Sequence, residues 1–260
     1  MTLRAVNKHT GRYRALDQGI KMKRYGLKLD PDGWFGISDS EWINRGSTAL
    51  LVIDMQRYDA DRTWSLIGTR GTGTSDDSSD YYYDRIERTV VPSIKRLLDC
   101  FRSNKLPVFH LFFASDVPGA PDMPPLWKLR FDQHAEDSGN RYTPETGLPE
   151  MGIIDDLKPS PGEPVLSKVT GSAFASTRLD VILRHMGIRA FVACGVWMNS
   201  CVEDTIRAGC DLGYLVTLAE DGAAAPDEKF HKACVRVLGE MYCQVRNTDW
   251  VINRLKADQK

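Results

Sequence analysis

Three residues suited to acyl-transfer chemistry recur at comparable places in this sequence: Asp54 in LVIDMQ, Lys168 in PVLSKVTGSAF and Cys201 in GVWMNSCVED. A thiol can attack a carbonyl carbon. A carboxylate can take the thiol proton and pass it to a departing amine, and an ammonium can stabilise the anionic form of either. Each residue alone has an ordinary explanation, because cysteine is among the most frequently buried residue types and a strand-end carboxylate readily caps a turn. The argument for chemistry is that all three follow short apolar runs, so an acid, a base and a thiol stand at equivalent strand ends.

The sequence around the thiol is specific. Ser200-Cys201-Val202-Glu203 matches a capping box, with Ser200 as N-cap and Glu203 reaching back. That reading starts a helix on Cys201, in whose first turn free N–H groups and the helix dipole, helped by a nearby Lys168, favour a thiolate.

The elements that must position the trio follow from the apolar pattern. TALLVID (48–54), LPVFHLFF (106–113), RAFVACGV (189–196) and YLVTLAED (214–221) read as buried strands, with PVLSK (164–168) and YCQVR (242–246) as shorter ones. Between them, 80–104 carries Ile86, Val90, Ile94, Leu97, Leu98 and Phe101 at helical spacing, with Pro92 expected to start or kink part of it. Segments 176–186, 201–213 and 227–239 also read as helices, the first ending at Gly187. Alternating strands and helices predict an α/β chain: a three-layer α/β/α, Rossmann-like fold with a mostly parallel sheet of about six strands. In such sheets ligands bind beyond the C-terminal strand ends, where the trio lies. Residues 60–79 and 114–162 show no clear period and are expected to be mostly irregular, the longer one serving as a lid or binding loop. Residues 1–46 read as an N-terminal arm and 47–260 as one domain.

Composition narrows the function classes. The 260 residues are 42% hydrophobic and 27% charged, with a net charge of −1, which gives no electrostatic footprint for nucleic acid. No apolar run approaches the roughly 20 residues of a membrane span, and the basic N-terminus lacks the apolar core of a secretory signal. Six scattered cysteines with no CxxC pair argue for a reducing compartment, hence a cytoplasmic protein.

The stretches ALLVIDMQ, LSKVTGSAFASTRLDVILRHMGI and VACGVWMNSCVEDTIRAGCDLGYLVTLAEDGAAA, in that order, give the chain a resemblance to the isochorismatase-like cysteine hydrolases over roughly residues 46–250. The resemblance implies a catalytic triad in which Cys201 is the nucleophile, Asp54 the general base and acid, and Lys168 the group that stabilises the thiolate and orients Asp54. It implies a cis peptide at Val196–Trp197 that aims the N–H groups of Trp197 or Met198, with that of Cys201, at the oxyanion. It implies a homo-oligomer, a dimer or tetramer. The Asp/His/His metal cluster of the family's nicotinamidases has no counterpart in HLFFASDVPGAPDMPP, which has Asp116 but no following histidine, so no metal and no organic cofactor is expected. His110 reads as a core histidine. The family usually carries threonine where Trp197 stands, so Trp197 is expected to line the pocket.

The expected reaction is hydrolysis of a linear C–N bond in a small ureido or carbamoyl compound of the biuret, triuret or ureidoacrylate kind, with release of ammonia. Substrate contacts are sought at Gln56, Arg57 and Tyr58 beside the base, at Asn199 beside the nucleophile, and at Trp127 and Arg130 in the long segment. An arginine among them would suit a substrate carboxylate. Hydrolysis of another small amide (maleamate, nicotinamide), a vinyl-ether hydrolase that ignores the thiol, and a non-enzymatic binding module on the same fold remain open alternatives.

Overall fold

The computed structural model describes residues 30, 33–64, 77–138 and 143–258. Most of the expected arm, residues 1–29, 31 and 32, lies outside the described residues, as do 65–76 of the loop expected at 60–79. Six parallel strands form one sheet in the order β3-β2-β1-β4-β5-β6. They are β1 (Thr48–Ile53), β2 (Val108–Phe113), β3 (Val165–Lys168), β4 (Ala190–Gly195), β5 (Leu215–Ala223) and β6 (Gln244–Arg246).

Central strands β1 and β4 are buried at every position, as a parallel sheet covered on both faces requires. Alternate residues feed two cores. Ala49, Leu51 and Ile53 pack with Phe191, Leu183 and Ile206 on one face. Leu50 and Val52 pack with Ile94, Leu97, Phe101 and Leu255 on the other. Helices therefore cover both sides, and the three-layer α/β/α arrangement follows.

The helical segment expected at 80–104 is continuous but not uniform. Helix Asp77–Arg85 passes through a wider π turn, Ile86–Val90, into helix Val91–Ser103, whose first turn holds Pro92. Proline has no N–H to donate to the preceding turn, and a π turn there absorbs the missing bond.

The expectation that 114–162 is mostly irregular is wrong at its centre, where Pro125–Ser138 is a helix. Its period is hidden because apolar residues lie on both sides. Trp127 and Phe131 pack toward the core, while Leu126 and Leu129 are exposed.

Strand order reverses between β1 and β4: the chain runs outward through β2 and β3, then returns to β4 on the other side of β1. A crevice opens at such a reversal, and both neighbouring strand ends are shaped for it. Asp54, one residue past β1, has φ +51°, a left-handed conformation that aspartate tolerates better than most residues. Gly195 ends β4 with φ +117°, and a Cβ placed there would meet the Ile53 carbonyl oxygen at 2.0 Å. This close approach lets the Val196 N–H donate to that same carbonyl at 3.0 Å. Gly195→Ala is predicted to destabilise the fold by about 2 kcal/mol or more. Gly213→Ala, where φ is +91° but a Cβ would have open space, should cost less, about 1–2 kcal/mol. Urea unfolding of the two variants checks the ranking.

Candidate active site

The ends of β1, β3 and β4 bring Asp54, Lys168 and Cys201 together. Lys168 is the last residue of β3, in register with Phe113 of β2, and Asp54 follows Ile53, which is in register with Leu111. Lys168 Nζ lies 2.8 Å from Asp54 Oδ2, with both side chains almost wholly withdrawn from solvent. Nζ also donates to the Thr170 carbonyl at 3.1 Å and stands 4.6 Å from the centre of the Phe113 ring. The second carboxylate oxygen, Oδ1, is buried and accepts no well-aligned hydrogen bond. The Cys201 thiol, 7% exposed, interacts with the Asp54 carboxylate and the Lys168 ammonium.

Burial and mutual charge decide how the three groups ionise. Burial lifts the Asp54 carboxyl above its ordinary range, against the pull of Lys168. Burial alone would lower Lys168, but the charges of Asp54 and Cys201 hold it above its usual value. For Cys201, burial and then the Asp54 charge push the thiol far above the ordinary cysteine range, and Lys168 only partly opposes them. The helix start favours a thiolate, but in the fold burial and the Asp54 charge oppose it and favour a protonated thiol beside a carboxylate paired to lysine.

The expected capping box is also corrected. Residues Met198–Val202 form a π turn whose N-cap is Trp197, and the α-helix Glu203–Asp211 continues from it. Glu203 does not reach back to Ser200, because its carboxylate takes Arg207 at 2.6 Å and the Cys234 thiol at 3.4 Å. Cys201 therefore sits in the wide turn before the helix. The turn straddles the sheet end, with Met198 and Cys201 packed in one core and Trp197 against the other.

The peptide Val196–Trp197 is cis. The Met198 N–H donates to the Ala224 carbonyl at 2.7 Å, so it is committed and does not serve as an oxyanion donor. The Trp197 carbonyl accepts from Ser200 N at 3.0 Å and Val202 N at 3.1 Å, which makes Trp197 the residue that closes the turn. Asn199 lies within the turn, and its Oδ1 is buried without a partner.

Several candidate contacts have other work. Gln56 is fully buried; its amide donates to the Phe113 and Met151 carbonyls and accepts from Phe113 N at 2.7 Å, stitching β2 to the long segment. Arg57 donates to the Pro149 carbonyl and to Asp155, each at 2.8 Å, so it braces that segment instead of clamping a substrate. Trp127 packs on Phe113 at 5.1 Å between ring centres, and Arg130 lies over the Trp127 ring. They back the wall behind Lys168. Tyr58 stays in the site: it is buried, 6.0 Å from the Phe131 ring, and feels the charges of Asp59, Asp54 and Cys201.

Asp116 accepts hydrogen bonds from Ser167 at 2.5 Å and Thr146 at 2.9 Å. Among the described residues no group of three or more His, Cys, Asp or Glu side chains is placed to hold a metal ion. His110 is buried, with Nε2 3.1 Å from Glu163 Oε2, and burial holds its pKa down.

Sequence reasoning missed Asp59 and Tyr82. Asp59, on the helical turn Arg57–Ala60, is buried and accepts the Trp197 indole N–H at 2.5 Å and the Tyr82 hydroxyl at 3.1 Å. Its only signal was its place, one turn past Asp54.

Comparison with known proteins gives the chain its family and matches its fold. The family model described as "Isochorismatase: Isochorismatase domain" matches residues 48–249. A protein of Caulobacter segnis named ureidoacrylate amidohydrolase RutB is 30% identical over 196 residues, covering 72% of this chain and 77% of the relative. A RutB protein of Caulobacter vibrioides is 31% identical, with 71% and 81% covered. A cysteine hydrolase of Pseudomonas syringae pv. phaseolicola superposes with a TM-score of 0.66 at 24% identity, covering 84% of this chain and 96% of that one. An N-carbamoylsarcosine amidase of Thermoplasma acidophilum gives 0.56 at 24% identity, with 78% and 97% covered, and shares the fold.

A buried ion pair is costly to break from one side. Lys168→Met leaves the Asp54 carboxylate unpaired and is predicted to lose about 3–5 kcal/mol of stability. Adding Asp54→Asn should restore much of it. Equilibrium urea unfolding of the single and double variants measures both. A Lys168→Met protein as stable as wild type would contradict the pairing.

Proposed function

We propose that this chain, which belongs to the isochorismatase family, uses Cys201 as the nucleophile of an amidohydrolase acting on a small ureido or carbamoyl compound. The carrying observation is the buried Asp54–Lys168 pair with the Cys201 thiol against it, at the crevice where strand order reverses. It is a hydrolase of carbon–nitrogen bonds in linear amides, as the RutB relatives are named amidohydrolases.

The reaction starts from the neutral thiol. As sulfur attacks the carbonyl carbon, the thiol proton moves to Asp54 Oδ1, the oxygen left without a partner. Lys168 stays on Oδ2 and keeps the carboxylate aimed at the sulfur. The tetrahedral oxyanion is met by backbone N–H groups, for which Trp197 and Cys201 are the candidates because the Met198 N–H is donated to Ala224. Asp54 then returns the proton to the departing nitrogen, the C–N bond breaks, and ammonia leaves a thioester or S-carbamoyl enzyme. Asp54 next takes a proton from water, whose hydroxide attacks the acyl carbon; the Cys201–carbon bond breaks, the departing sulfur takes that proton back from Asp54, and the acid is released with the thiol restored.

Ureidoacrylate-type and biuret- or triuret-type compounds are the substrates this reading favours. The names of the relatives in the roughly 30% identity range support the former. The unpartnered Asn199 Oδ1 in the nucleophile's turn is a suitable acceptor for a ureido N–H. Six unpaired cysteines suit a reducing cytoplasm, and no described helix is long and apolar enough to cross a membrane.

Ammonia release is to be measured over ureidoacrylate, biuret, triuret, N-carbamoyl amino acids, maleamate and nicotinamide. A ureido compound is expected to turn over, and Cys201→Ala should reduce the rate at least about 10³-fold while the protein stays folded. Turnover by Cys201→Ala within about tenfold of wild type would refute the nucleophile.

A further inference from the structure

One feature of the site has no part in the chemistry just described: a carboxylate buried within a few residues of the base and bonded to the tryptophan before the nucleophile. Asp59 Oδ1 accepts both the Trp197 indole N–H at 2.5 Å and the Tyr82 hydroxyl at 3.1 Å. Tyr82, buried on helix Asp77–Arg85, also meets the Trp197 ring edge-on, with 5.7 Å between ring centres. Two aromatic donors from different elements thus converge on one oxygen. A tryptophan needing only a packing slot would be served by an apolar wall and any neutral acceptor. Burying a carboxylate instead costs free energy that its hydrogen bonds must offset. The two donors favour the anion on that oxygen, against the burial that disfavours it.

What the carboxylate holds is the closing residue of the nucleophile's turn. Trp197 follows the cis peptide, and its carbonyl takes the N–H groups of Ser200 and Val202 on either side of Cys201. Asp59 lies five residues after Asp54, on the helical turn that leaves the base. The Asp59–Trp197 bond therefore ties the base's segment to the nucleophile's segment on the opposite side of the crevice.

We propose that Asp59 is a positioning residue whose carboxylate clamps the Trp197 indole and so fixes the turn that presents Cys201 and the Trp197 N–H to the substrate. This inference rests on the reading of Cys201 as nucleophile. The clamp is strongest when Asp59 is ionised, because charge-assisted hydrogen bonds are stronger than neutral ones. The groups facing Asp59 are Asp54 and Lys168 from the strand ends, Tyr58 from its own turn, Tyr82 from the neighbouring helix and Trp197. Burial pushes its pKa up, the Trp197 bond pulls it down, the Asp54 charge adds to the rise, and the outcome is about 7. The clamp accordingly loosens as pH falls through neutrality and tightens as pH rises. Burial raises the Asp54 carboxyl as well, and the two charges act on each other, so the two carboxyls share macroscopic constants and a variant is needed to separate them.

The test compares wild type, Asp59→Asn, Trp197→Phe and the double variant, all full length. Two readouts are followed against pH: tryptophan fluorescence without substrate, and kcat and KM on whichever ureido compound the ammonia screen identifies. Wild type should show a fluorescence transition near pH 7 that both single variants lack. Asp59→Asn should lose about 10- to 100-fold in kcat with KM changed less than about threefold, and the wild-type rise in kcat near neutrality should flatten. The double variant should fall within about twofold of the worse single variant, because both substitutions break one bond.

An Asp59→Asn protein with the wild-type transition and wild-type kcat overturns the clamp, as do two kcat losses that simply multiply. If Asp59→Asn does not fold, Trp197→Phe carries the same test, since it removes the indole donor and keeps an aromatic ring. Turnover by Cys201→Ala would remove the nucleophile reading, and the substrate-free fluorescence transition would still decide whether Asp59 grips Trp197. Loss of turnover in Cys201→Ala beside an unaltered Asp59→Asn would remove the clamp alone.

Discussion

A carboxylate and an ammonium paired out of reach of water, Asp54 with Lys168, set the terms for everything at the open end of the sheet. Neither can be withdrawn from solvent alone without a penalty of several kcal/mol, so each requires the other at hydrogen-bond distance. That requirement fixes the register of β3 relative to β1 across the intervening β2. It also creates the field that Cys201 experiences. A sulfur beside an isolated lysine would ionise readily. Buried beside a lysine already paired to a carboxylate, the thiol has its pKa pushed up, by burial first and the Asp54 charge second, and Asp54 Oδ1 stands open to the proton. On the proposed mechanism, proton transfer is then timed with attack, and no separated thiolate is maintained.

Bringing the sulfur to that pair depends on the backbone more than on side chains. The reversal of strand order leaves a crevice beside β1, and Gly195 lets β4 end in contact with the Ile53 carbonyl. From there the chain passes through the cis peptide into a turn wider than an α-helix. The turn is held by Ala224 on one side and by the Trp197 carbonyl within. Asp59 adds a lateral tie to the Trp197 indole. The Cys201 sulfur is therefore positioned by three strand ends and one short helical turn.

How far this was legible in the sequence depends on the range of the interaction. β1 and β4 are buried on both faces and read as unbroken apolar runs, which is why Asp54 and the approach to Cys201 stood out. Lys168 closes a shorter, partly exposed run, PVLSK, and stood out as a base at a third strand end. Helix Pro125–Ser138 was not, since Leu126 and Leu129 point outward and blur the period that Trp127 and Phe131 follow. The capping box at Ser200 and Glu203 had the right letters, but the helix had already begun at Met198, and Arg207 and Cys234 claim the glutamate. Gln56 and Arg57 looked like pocket residues because they adjoin the base, yet they face the segment around Pro149 and Met151. Asp59 was invisible, because RYDA reads as a surface turn until the fold lays Trp197 and Tyr82 against it. The upward push on the Cys201 thiol was out of reach for a related reason: proximity to a helix start is local, whereas burial and the Asp54 charge emerge only in three dimensions.

Whether burial and the Asp54 charge outweigh Lys168 and keep Cys201 a thiol is read by titrating the ultraviolet absorbance of the thiolate. The signal is taken as the difference between wild type and Cys201→Ala. A buried thiol beside Asp54 predicts no Cys201-dependent thiolate at neutral pH, with its onset above the ordinary cysteine pKa of about 8.5. It also predicts a clearly lower midpoint in Asp54→Asn, where Lys168 is released to act on the sulfur alone. A thiolate already formed in wild type below about pH 7, and unmoved by Asp54→Asn, would contradict it.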